Sequence, residues 1–151
     1  MSKFLVAVNG SPTSEKALEA AVGLAQSYNA RLVVVTVLDH PGGPHVPSLI
    51  SDQTAQVRAR LDELLQSAAN LARSRGLSLT PVLREGHAAE TILTCAEEEQ
   101  ADLLVLGTGS HHDDGRGLGS TADQVSSHCP CAVMLVKLGG WMSLHGAETR
   151  P

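Results

Sequence analysis

The segment Leu32-Val-Val-Val-Thr-Val-Leu38 shows no apolar-polar alternation. Successive side chains of a strand point to opposite faces, so a strand with one wet face must alternate. This run therefore predicts a strand covered on both faces, as in a parallel sheet sandwiched between helices. Lys3 to Val8 and Asp102-Leu-Leu-Val-Leu106 have the same character, and Leu77 to Leu83 and Ala132 to Val136 bring the predicted strands to five.

Helical periodicity fills the intervals. Ala17, Leu18, Ala21, Leu24 and Ala25 recur at three- and four-residue spacing up to about Tyr28, and Val57, Leu61, Leu64, Leu65, Ala68 and Leu71 mark a longer helix. Ala88 to Glu99 predicts a third, with Ile92, Leu93 and Ala96 inward, and Ser120 to Ser127 a fourth. Asn9-Gly10-Ser11-Pro12 is turn chemistry, with Thr13 or Ser14 as the expected cap, while Gly76 offers a left-handed stop. Pro41-Gly42-Gly43-Pro44 and Pro47 predict a surface loop over Asp39 to Ser48. Strict strand-helix alternation implies right-handed crossovers and an α/β, doubly wound parallel sheet, with ligands expected at the carboxyl ends of the strands where their order reverses.

At 151 residues the chain suits one domain. A formal net charge of −5 and a single Trp, Tyr and Phe argue against nucleic acid as a partner, since they supply neither a basic surface nor stacking platforms. No apolar run approaches ~20 residues and Met1-Ser2-Lys3 is no signal peptide, so no membrane partner and a cytoplasmic location are expected. Cys95, Cys129 and Cys131 read as reduced thiols.

Gly107 to Ser120 is glycine-rich and lies between a predicted strand and helix, where bare backbone N–H groups and a helix N-terminus can hold phosphates. Ser120, at the helix start, can offer both its hydroxyl and its N–H to an anion. In this loop Gly109, nine residues and Gly119-Ser120 resemble the universal stress protein family. So do Leu5-Val-Ala-Val8 with Gly10-Ser11, Gly86-His-Ala-Ala-Glu90-Thr-Ile92, and Cys129-Pro-Cys-Ala-Val-Met-Leu-Val136. The resemblance covers about residues 3 to 137. It implies a Rossmann-like, adenine nucleotide alpha hydrolase-like sheet of five strands in order 3-2-1-4-5 with four helices. It also implies a domain over 1–137; the remaining tail, 138–151, has no period and is expected to be flexible, although Trp141, Met142 and Leu144 could dock.

Carried over residue by residue, the resemblance implies a nucleotide site of Val8, Asn9, Val37, Leu106, Gly107, Gly109, Gly119, Ser120 and Thr121. ATP or a related adenine nucleotide, with magnesium, is the implied ligand. A homodimer paired through the last strand, Ala132 to Val136, is the implied assembly. Three features depart from the family pattern: Gly107 and Gly109 are separated by Thr108 alone, Asn9 replaces the usual aspartate, and Asp113-Asp114 puts negative charge in the phosphate loop, with Arg116 as its one cation.

Other constellations read more simply. His111-His112-Asp113-Asp114 has ligand types without metal-site spacing, so no metal site is expected. Ser11, His87 and Ser120 read as polar caps of three helices rather than as a nucleophile with its base, so no catalytic residues are assigned and any hydrolysis should be slow. Two classes of function follow. One is a nucleotide-responsive dimeric binding module for stress response; the alternative is a nucleotide-free dimeric scaffold acting through protein contacts. A flavin protein lacks stacking aromatics, and a phosphoacceptor domain lacks its acidic cluster.

Overall fold

A computed structural model describes residues 1–39, 51–109 and 119–138 of the chain. Its elements alternate without exception: β1 (Lys3–Ala7), α1 (Pro12–Tyr28), β2 (Arg31–Leu38), α2 (Ser51–Ser74), β3 (Leu79–Glu85), α3 (Ala88–Glu98), β4 (Leu103–Gly107), α4 (Ser120–His128) and β5 (Ala132–Val136). The strands form one parallel sheet in the order β3-β2-β1-β4-β5. The predicted loop over Asp39 to Ser48 falls, beyond Asp39, outside the described residues, as does the tail from 139 with Trp141, Met142 and Leu144.

The unbroken apolar runs are explained by where alternate residues go. Phe4, Val6, Val8, Leu32, Val34 and Val105 pack under α1 and α2, against Leu18, Val22 and Leu65. Leu5, Ala7, Val33, Val35, Leu104 and Leu106 face the other way, onto α3 and α4 through Ile92, Cys95 and Val125. Each central strand thus feeds two cores, which is why no polar residue interrupts it.

Three helices end alike. In α1, α2 and α3 the N–H five residues on closes onto a last-turn carbonyl, Ala30 to Ala25, Leu77 to Ala72 and Ala101 to Ala96, through left-handed Asn29, Gly76 and Gln100. Only Gly76 was expected from the sequence. Leu77 is consumed in this closure and in the core, so β3 starts at Leu79 rather than Leu77. It runs on to Glu85, and Pro81 is tolerated within it because β3 is an edge strand. Arg84 pairs with Glu98 at 2.9 Å and Glu85 pairs with Arg58.

The cap of α1 is Ser11, not Thr13 or Ser14. Pro12 is pre-set for the first helical position, so the cap must precede it, and the Ser11 side chain accepts the Ser14 N–H.

Candidate functional site

The order β3-β2-β1-β4-β5 reverses between β1 and β4, and a crevice opens there at the carboxyl ends of the strands. It holds about 270 Å³ and is lined by residues of β1, β2 and β4 and of the first turns of α1, α3 and α4. Val8, Asn9, Val37, Leu106, Gly107, Gly109, Gly119, Ser120 and Thr121, all nine residues singled out from the sequence, face this one space.

One end is apolar. Val35, Val37, Leu106, Ala88 and Ile92 form a wall of aliphatic side chains suited to a flat, weakly polar group. Another part supplies donors. Ser120, Thr121 and Ala122 open α4, and their N–H groups have no partner within the helix, whereas the next, Asp123, already donates to the Gly119 carbonyl. Among the described residues no side chain caps α4, whose cap is Gly119 rather than Ser120, and these first-turn residues line the crevice. None of the described lining residues carries a charge. An anion held here by those residues would be held by N–H and hydroxyl dipoles.

The root of the glycine loop is tied down on three sides. The Thr108 N–H donates to Val136 of β5 at 2.9 Å, the Gly119 N–H donates to the Thr108 carbonyl at 2.9 Å, and the Gly109 N–H donates to Thr13 Oγ1 at 3.2 Å. Each glycine has a different task. Gly109 has a φ of 81°, which disfavours a side chain. Gly119 would bring a Cβ to 3.1 Å from the Thr108 oxygen. Gly107 would press one to 2.7 Å from the Thr13 carbonyl carbon. Its missing side chain is what lets β4 meet α1 so closely.

Asn9 turns inward on its own loop. Its Oδ1 accepts the Ser11 N–H at 3.0 Å and its backbone N–H donates to Ser14 Oγ. Beneath it the Thr36 hydroxyl donates to the Val8 carbonyl at 2.7 Å, fixing the end of β1 to β2. Thr13, Ser14 and Thr108 also line the crevice and were not singled out. Their signal was faint: hydroxyl side chains in first turns and strand ends that are buried to 3–5% exposure. His87 stands at the α3 N-cap, its side chain making no capping hydrogen bond among the described residues, and it does not line the crevice that Ser11 and Ser120 share. His111, His112, Asp113, Asp114 and Arg116 lie outside the described residues. Among the described residues no group of three or more His, Cys, Asp or Glu could hold a metal ion, and no helix is long and apolar enough to cross a membrane.

Comparison with known proteins places this geometry. The model of the universal stress protein family matches residues 1–137. Universal stress protein YxiE of Bacillus subtilis is 32% identical over 146 residues, covering 90% of this chain and 99% of the relative. The structure of universal stress protein UspA from Lactobacillus plantarum superposes with a TM-score of 0.81 at 26% identity, covering 89% of this chain and 97% of that one. A universal stress protein solved in complex with cAMP has a TM-score of 0.70 at 25% identity, covering 90% of this chain and 96% of the other.

Proposed function

This chain belongs to the universal stress protein family, and we propose that residues 1–137 form one domain whose crevice binds an adenine nucleotide, which in turn alters contacts with a protein partner. One observation carries the reading: an aliphatic wall and an uncapped helix N-terminus face the same crevice, at the point where the strand order reverses. The structural relative in complex with cAMP supports the adenine class.

In this reading Val37, Leu106 and the end of β1 at Val8 flank the base, and Asn9 lies at the ribose. Ser120 and Thr121 meet the phosphate, with Gly109 and Gly119 letting it approach the backbone. Gly107 contributes by admitting α1. The described lining holds hydroxyls but no carboxylate, so it does not fit a resident magnesium ion. Magnesium would arrive on the phosphates of ATP. The ligand in this reading is retained rather than rapidly turned over.

The proposed assembly is a cytoplasmic homodimer through β5. That strand ends the sheet, and Met134 and Leu135 are 37% and 36% exposed on it.

Calorimetric titration of AMP, cAMP and ATP, the last with and without magnesium, tests the proposal on the full chain. Saturable binding of at least one of them is expected. No heat at millimolar nucleotide, with an unchanged melting temperature, would leave the nucleotide-free dimeric scaffold. That alternative draws on the Gly109 and Gly119 N–H groups, which already donate to Thr13 and Thr108.

A further inference from the structure

Cys129 and Cys131 flank Pro130 in the bend between α4 and β5, just before Ala132, which pairs with Leu103 at the start of β4, and so at the end of the sheet opposite the crevice. Their sulfurs are 3.5 Å apart. Both side chains are half-buried against the cluster that contains Leu104 and Val125. A disulfide requires its sulfurs to close to roughly 2.0 Å, with the two Cβ atoms near each other. Thiols already in contact across a bend can reach that geometry by side-chain rotation and a small adjustment of the turn. The third cysteine, Cys95, is fully buried in α3.

We propose that Cys129-Pro130-Cys131 is a redox modification site, converted reversibly to an intramolecular disulfide by low-molecular-weight disulfides of the glutathione type. Cys129 gives up its proton and its thiolate attacks one sulfur of the small disulfide. The bond between the two small-molecule sulfurs breaks, one small thiol leaves, and a mixed disulfide remains on Cys129. Cys131 then loses its proton and attacks the Cys129 sulfur, displacing the second small thiol. Two protein thiols lose two electrons and two protons, and the small disulfide gains both to become two thiols.

The surroundings of the Cys131 sulfur disfavour its thiolate. Burial, then the hydrogen bond and charge of Cys129, push the Cys131 thiol up to about 12. Cys131 therefore stays protonated near neutral pH while both thiols are free. Once Cys129 is capped, its hydrogen bond and charge no longer oppose the Cys131 thiolate, while burial, the largest cause, still does.

The test uses the full chain in excess glutathione disulfide, alkylated and digested with trypsin. Cleavage after Arg84, Arg116 and Lys137 leaves both cysteines in the peptide 117–137 and Cys95 in the peptide 85–116. The expected product is peptide 117–137 lighter by two hydrogens, closed to alkylation and reopened by dithiothreitol. Cys131→Ser should instead accumulate a single glutathione on Cys129. Wild-type peptide 117–137 that stays fully alkylated, keeps glutathione, or appears joined to its copy from a second chain would overturn the proposal.

Discussion

Replacing Gly107 with alanine separates two tasks that one glycine motif can perform. If Gly107 only lined a phosphate loop, a methyl group would matter to the ligand and little to the fold. An added Cβ would instead lie 2.7 Å from the Thr13 carbonyl carbon, 2.7 Å from Thr13 Oγ1 and 2.9 Å from the Ser14 nitrogen. Ordinary carbon contacts lie near 3.5–4.0 Å, so the two elements must separate by roughly 1 Å. The obstructing atoms are mostly backbone. They belong to a first turn held by the Ser11 cap and by Ser14 Oγ, which donates to the Ser11 carbonyl. Overpacking of this kind costs about 1–3 kcal/mol, offset by ~0.4–1 kcal/mol from the stiffer unfolded chain. Gly107→Ala should therefore lose about 1–2 kcal/mol net. Gly23→Ala is the control. Gly23 lies inside α1 with nothing within 4 Å of its would-be Cβ, so the same change there should gain ~0.5–1 kcal/mol. Urea denaturation of both variants reads the two signs against wild type. A Gly107→Ala protein as stable as wild type would refute the close approach of β4 to α1.

Three further outcomes are expected. Ser120→Asp adds a negative charge at the exposed first residue of α4, which favours the helix by ~0.3–1 kcal/mol but repels a phosphate. Its melting temperature should hold while calorimetry shows nucleotide affinity down by about tenfold or more, a loss of ~1.4 kcal/mol; unchanged affinity would move the anion away from α4. Met134→Lys should leave the protomer folded and yield monomers by sedimentation velocity, and a persistent dimer would assign the interface elsewhere. The Cys131 thiol, pushed up to about 12 from the ordinary 9.0, stays protonated in the folded state while the unfolded chain ionises. Its contribution to stability is complete below pH 9.0 and lost as pH rises from there through about 12. Urea midpoints at about pH 8 and pH 10 should thus fall less in Cys131→Ser than in wild type, and equal falls would contradict the shift.

The sheet was legible because its signal is doubled. Val33 and Val34 point to opposite cores, as do Leu104 and Val105, and both members of each pair must be apolar. Helix ends were legible only where a residue type announces them. Gly76 does so, whereas Asn29 and Gln100 adopt the same left-handed turn, at φ of 54° and 53°, because the closing hydrogen bonds and following strands demand it. The boundary of β3 followed from its register against β2, which begins at Leu32 opposite Leu79 and leaves Leu77 to the end of α2.

The candidate site shows what a local motif can and cannot convey. Gly109 and Gly119-Ser120 are recognisable at a glance because they stand in one stretch of chain. Thr13 is not, since it lies 96 residues from the Gly109 N–H it accepts, and only the adjacency of β1 and β4 brings the two together. The same adjacency gives Gly107 its meaning. A motif states that a side chain is missing but not which neighbour needs the room, and that neighbour is the first turn of α1. Because Thr13 both touches Gly107 and accepts from Gly109, the loop root and α1 form one mechanical unit. A ligand that draws the Gly109 N–H toward itself must take that donor from Thr13, so the strength of binding and the seating of α1 are coupled through a single hydroxyl.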